Sequence, residues 1–131
     1  MKRVGGRVTW LLEFDRRFEA SVRDGLKRQT VRRCRIVEPG DMLRLASADT
    51  GRVFGEAEVT RVVPIRIEAE TGRLGIVEGY AVSVSGNRLT YGEADTLAGF
   101  DGFGSIEEMC GWLAARGKLL HGVFDGQIIE W

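Results

Sequence analysis

Histidine and cysteine are scarce in this sequence, and that scarcity removes several chemistries at once. His121 is the only histidine, which argues against a histidine-built metal site and against a Ser-His or Cys-His triad. Cys34 and Cys110 are far apart and neither belongs to a metal-ligand pair, so both read as reduced cytosolic thiols; no metal or other cofactor is expected. No apolar run approaches the ~20 residues a membrane span needs. Met1 to Gly6 carries charge without an apolar segment behind it, so no secretory signal is read and a cytoplasmic protein with no membrane partner is expected. Proline occurs only at Pro39, in a turn-like Glu-Pro-Gly-Asp, and at Pro64, where it should break a strand or confine it to an edge. Convincing repeats and low-complexity tracts are absent.

What is present suits one soluble domain spanning residues 1–131. Hydrophobic content is 44% and charged content 29%, both ordinary for a globular chain of 131 residues able to bury a core unaided. The net charge of zero hides a split: residues 1–35 hold eleven Lys or Arg against four Asp or Glu, and the remainder holds eight against fifteen. Such an asymmetry fits a polyanionic partner on one face, or two halves that attract each other.

Val8 to Phe14 is β-rich and nearly all apolar, as in a buried strand. Asp15 can cap a helix over Arg16 to Asp24, with Phe18, Val22 and Leu26 as its inward stripe and Gly25 as its stop. Thr30 to Ile36 reads as a strand bearing three arginines. After the turn at Glu38 to Asp41, Met42 to Ala46 is a strand, Asp49 to Gly51 a turn, and Val53 to Ile67 one long returning strand. Ile76 to Ser85 and Arg88 to Tyr91 predict a hairpin about Gly86-Asn87, so that 76–91 can be an excursion from the main sheet. Glu93 to Gly99 predicts one or two helical turns. Ser105 opens a capped helix to Arg116 with Ile106, Met109, Cys110 and Leu113 inward, and His121 to Trp131 is a closing strand. Many short strands, few helices and 18 glycines predict an α+β, mainly β chain: a small mixed β-barrel with two or three flanking helices. Val8–Phe14 and Gly126–Trp131 should both lie in that barrel.

The chemistry concentrates in Gly25 to Arg32. Lys27 and Thr30 are three apart, so a helical turn or tight loop brings ammonium and hydroxyl to one side, and a strand would point Arg32 to the face of Thr30. A point charge, a hydroxyl and a planar donor fork then converge, which suits a phosphate or a carbonyl. The plainer alternative is a solvated basic edge.

Taken in order, three marks resemble the ASCH family, whose fold is similar to the RNA-binding PUA β-barrel. They are Gly25-x-Lys27-x-x-Thr30-x-Arg32, the Pro39-Gly40-Asp41 turn, and Asp101-Gly102-Phe103 followed by the capped helix of Ser105 to Trp112. The resemblance implies a PUA-like barrel with a cleft, floored by Gly25–Arg32 and walled by Asp101–Phe103, that receives RNA or a nucleoside or nucleotide. Gly25, Arg28, Arg32, Arg33 and Phe103 would bind that ligand. Some members hydrolyse N4-acetylated cytidine with a lysine, a threonine and a glutamate; here Lys27 and Thr30 match, and Asp101 stands one methylene short of the glutamate.

Three functions follow: an RNA-binding or modified-nucleotide-binding module, a small metal-independent amidohydrolase, and a ribonuclease in the same cleft. For amide hydrolysis, Thr30 attacks with Lys27 as base, or both position a water; Asp101 orients the lysine or shuttles the proton. Arg32 or backbone N–H groups near Gly25 would hold the oxyanion. Ribonuclease chemistry would use Lys27 on a phosphorane without a histidine pair. Alternatively Asp101 caps the next helix or merely pairs with Lys27, and Glu93 or Asp95 is the spare acid that replaces it. Phe103 either stacks a base or plugs the barrel end; Trp10 and Trp131 read as packing, Tyr80 and Tyr91 as packing or rim. Arg33 and Arg35 extend a phosphate track or are simply solvated, with Cys34 buried between them.

Overall fold

The structure, a computed structural model, describes residues 6–33 and 36–131. Cys34 and Arg35 lie outside the described residues, so their expected roles are not addressed further. The described chain is α+β and mainly β, with eight strands in two sheets and three helices. No described helix is long and apolar enough to cross a membrane.

The smaller sheet has the order β1 (Thr9–Phe14), β3 (Met42–Ser47), β4 (Val53–Glu58). β1 runs parallel to β3 from Thr9↔Met42 to Phe14↔Ser47, which requires a crossover between them. That crossover carries α1 (Arg16–Arg23) and β2 (Gln29–Arg32). The register is pinned at its start by Asp41, buried beside the Pro39-Gly40 turn. Its carboxylate accepts from the Val8 amide at 3.1 Å, the Trp10 Nε1 at 2.8 Å and the Glu38 amide at 2.9 Å, while the Met42 amide donates to the Val8 carbonyl. One short acid thus satisfies the groups where two strands begin. β1 is not a uniformly buried strand: Leu12 and Phe14 face the core and Leu11 is exposed, the alternation of a sheet with one wet face.

The larger sheet has the order β2, β8 (Val123–Glu130), β5 (Arg61–Thr71), β6 (Val77–Val84), β7 (Asn87–Arg88), antiparallel throughout. The expected single strand from Val53 to Ile67 is therefore two strands in different sheets. The chain turns the corner at Val59–Thr60: the Val59 amide donates to Asp41 O, and the Thr60 amide to Glu130 O. Pro64 is tolerated inside β5 because its carbonyl, which accepts from the Ser85 amide, faces β6 just before that ladder starts at Ile65↔Val84. Its missing N–H points the same way, beyond the end of the β6 ladder, so this inner strand keeps its ladder bonds.

Among the described residues no ladder joins the two sheets, and they do not close as a barrel. β1 and β8 lie in different sheets, contrary to a barrel holding both. Segment 76–91 joins the larger sheet through β6. Its turn is Ser85–Gly86, both at positive φ, one residue earlier than expected, and its return strand is cut to two residues because Thr90 already caps α2 (Tyr91–Phe100). Phe18, Val22, Leu43, Ile65, Ile67, Phe124, Ile128 and Ile129 fill the core together with Ile106, Met109, Cys110 and Leu113 of α3 (Ile106–Ala115). Leu26, expected at the end of the α1 stripe, is 82% exposed because the helix has already stopped at Arg23.

Asp41→Ala should lower stability by about 3 kcal/mol, because it strands three donors at once. Urea unfolding measures this; a loss under about 1 kcal/mol would show that water replaces the carboxylate.

Candidate functional site

All three helices end in the same device. In α1, Gly25 takes φ +76°, the Leu26 amide donates to Ser21 O and the Gly25 amide to Val22 O. In α2, Gly102 takes φ +96°, with Phe103 N–H to Ala98 O and Gly102 N–H to Gly99 O; in α3, Gly117 takes φ +67°, with Lys118 N–H to Leu113 O and Gly117 N–H to Ala114 O. These are Schellman caps, whose left-handed residue is the reason for each glycine. Gly102 has a second reason: a Cβ there would sit 3.1 Å from the Phe18 ring.

The caps set functional side chains around one cleft of about 250 Å³, whose lining includes Lys27, Thr30 and Arg32 from the first cap and β2, and Asp101 and Phe103 from the second. Arg116 and Lys118 from the third line it too, with Glu13, Phe18 and Trp112. Asp101 is the C-cap of α2, just before Gly102, so its carbonyl is an orphan helix-end acceptor. Lys27 Nζ donates to that carbonyl at 2.5 Å and lies 3.1 Å from Asp101 Oδ1. It also stands 5.0 Å from the centre of the Phe18 ring. Lys27 and Asp101 are only 3% and 6% exposed.

Burial pushes the Lys27 ammonium below the usual lysine range, and Asp101 pulls it part of the way back. Burial likewise holds the Asp101 carboxyl above the usual carboxylate range, against the attraction of Lys27 and Arg32 and a hydrogen bond from the Val31 amide. The Lys27 contact misses hydrogen-bond geometry at Oδ1, which has no hydrogen-bond partner among the described residues. A buried carboxylate oxygen held by a desolvated cation through an ion pair alone is an arrangement that packing alone does not favour.

Thr30 is buried, and its Oγ1 accepts from Arg32 Nε at 3.1 Å. Arg32 is anchored further by Nη2 to the Glu13 carbonyl at 2.7 Å and by the face of Phe14, and burial lowers its pKa. Phe103 is buried edge-on against Phe18 and Trp112, with the Arg17 guanidinium 4.9 Å from its ring centre. Trp112, half-buried, lines the cleft with the Arg116 guanidinium over its ring, 3.0 Å from the centre, and with Phe18 and Phe103 packed edge to face against it.

Five of the eight expected site residues therefore meet: Lys27, Thr30, Arg32, Asp101 and Phe103. Gly25 and Arg28 line a separate depression, with Arg28 Nε on the Trp131 carbonyl, and Arg33 is exposed outside the cleft. The competing acids are occupied elsewhere. Glu93 closes a capping box with Thr90, and Asp95 accepts from the Ile106 amide. Ser105 caps α3, so Asp101 does not. Cys110 is no nucleophile, its buried thiol pushed up to about 12. Sequence reasoning missed Arg116 and Lys118, although both flank a third helix-stopping glycine of the kind that marks Lys27 and Asp101.

Both pKa directions mean that the ionised pair is a cost to folding. With Asp101 raised, stability is lost as pH rises through its folded pKa; with Lys27 lowered, stability is lost as pH falls through its own. Lys27→Met alone should destabilise by about 3–5 kcal/mol, and Lys27→Met with Asp101→Leu should recover at least about 2 kcal/mol of that. Both variants lack Lys27, so the recovery follows Asp101 alone and should grow as pH rises above the ordinary carboxylate range. Denaturant titrations across pH check it; a double variant less stable than the single would make the pair a structural asset. Comparison of the chain with protein-family models, curated proteins and solved structures returns no match.

Proposed function

We propose that this is a cytoplasmic ASCH-type domain whose cleft binds a modified nucleobase, presented as a nucleoside, a nucleotide or an unpaired residue of RNA. One observation carries the reading: Asp101 Oδ1, buried and without a hydrogen-bond partner, beside the Lys27 ammonium on the wall of the cleft. Acceptor and donor side by side complement the polar edge of a base, and the Arg116 guanidinium, lying over Trp112, offers a planar surface for its face. The cleft, about 250 Å³, falls below the ~300 Å³ at which pockets for larger ligands begin, and so suits a single base. The order of Gly25-x-Lys27-x-x-Thr30-x-Arg32 and Asp101-Gly102-Phe103 supports the same family reading. A PUA-like barrel is supported by two seams between the sheets, the Val59–Thr60 corner and the hydrogen bond from Arg32 to the Glu13 carbonyl.

Hydrolysis of an N4-acylated cytidine is the second reading, and Thr30 favours it. Arg32 occupies one lone pair of the hydroxyl, which leaves the Thr30 proton free to go to a base. Thr30 Oγ1 attacks the acyl carbon, its proton passes to neutral Lys27 and then to the departing amine, and water cleaves the resulting ester to release acetate. Asp101, already within ion-pair reach of Lys27 despite being shorter than glutamate, orients the lysine.

Calorimetric titration with N4-acetylcytidine should give saturable binding that Asp101→Asn and Lys27→Ala each weaken about tenfold or more, the scale of a charged hydrogen bond. Unchanged affinity in both variants overturns the binding reading. Acetate release by wild type, lost by about 10²-fold or more in Lys27→Ala and Thr30→Ala, supports hydrolysis. Binding without release at high enzyme concentration leaves a binding module alone.

A further inference from the structure

We infer that the mouth of the cleft holds a phosphate, so that the favoured ligand is a phosphorylated nucleotide, free or within a strand, rather than the bare nucleoside. The inference rests on the nucleobase reading above. A cleft sized for one base leaves sugar and phosphate outside, at the rim.

The charges lining the cleft do not balance: Lys27, Arg32, Arg116 and Lys118 face Glu13, Asp15 and Asp101. Lys27 and Asp101 satisfy each other's charge in the interior. Arg116 reaches Asp15 only at 3.6 Å with both side chains about 40% exposed, a weak pair, while its guanidinium lies 3.0 Å from the Trp112 ring centre, which sets its charge at the rim. Arg32 uses two donors on Thr30 and on a backbone carbonyl, neither of them a carboxylate. Lys118 is exposed and has no anionic partner among the described residues. The surplus of one positive charge therefore falls at the rim, on the side formed by the end of α3.

That rim is also fixed in place. The Gly117 cap ties the Lys118 amide to Leu113 O and the Gly117 amide to Ala114 O, so Arg116 and Lys118 are held on either side of a tight turn. An unpaired lysine beside an arginine already positioned by the Trp112 ring offers a phosphate charge-assisted hydrogen bonds.

The test compares affinities of three probes for the full chain: N4-acetylcytidine, its 5′-monophosphate, and a short single-stranded RNA with the same base inside. At low salt the monophosphate should bind at least about tenfold more tightly than the nucleoside, and the ratio should shrink as salt rises. Lys118→Glu, at an exposed position, should bring the ratio to about one, and Arg116→Gln should reduce it partially. If the phosphate belongs to a strand, the RNA will exceed the monophosphate; if to a free nucleotide, it will not. Equal binding of nucleoside and monophosphate by wild type overturns the phosphate site while leaving the nucleobase reading standing. So does a ratio that survives Lys118→Glu or is insensitive to salt. Failure of all three probes to bind removes both readings together.

Discussion

The contact between Lys27 and Asp101 is the interaction on which the site depends. It joins the segment after α1 to the end of α2, two elements 74 positions apart in the chain. Its donor reaches the backbone carbonyl and the carboxylate of the same residue, so the lysine sits at the negative end of α2 as well as beside an acid. These attractions oppose the desolvation that both groups suffer. The net result is a pair whose charged forms are both disfavoured by burial and favoured by each other, in contact with a cleft rather than sealed in the core.

The surrounding architecture follows from how three helices stop. Each ends in a glycine-based cap, and within two positions of that glycine each supplies a charged residue to the cleft: Lys27, Asp101, and Arg116 with Lys118. Two sheets supply the floor, with Arg32 spanning from β2 to the Glu13 carbonyl of β1. Helix ends thus act as the mounting points and the sheets as the frame. Gly126 adds a constraint on that frame: a Cβ there would fall 2.1 Å from the Arg32 carbonyl, so β8 must present a bare backbone where β2 crosses it.

Much of this was legible in the residues because it is local. Asp15, Ser105, Gly25 and Gly117 announce helix limits by cap chemistry, and the inward stripe of Ile106, Met109, Cys110 and Leu113 follows from helical spacing. The convergence of Lys27, Thr30 and Asp101 came from a motif resemblance; no local rule predicts it. What could not be read is non-local. The split of Val53–Ile67 into two sheets turns on backbone bonds from Val59 and Thr60 to distant partners. The parallel pairing of β1 with β3 depends on Asp41, whose turn looked self-contained. Arg28 falls outside the cleft for a similar reason: a basic residue in a basic run says nothing about which side of the sheet it will take.

Because Lys27 is anchored by the main-chain oxygen of Asp101, the position of the cation and the identity of the acid are separable. Any residue at 101 supplies the same carbonyl, provided Gly102 still turns the chain. A lineage carrying this scaffold can therefore exchange aspartate for glutamate, asparagine or serine by a base change or two without displacing the lysine. Reactivity and recognition in such a cleft would diverge through one codon, with the mounting left intact.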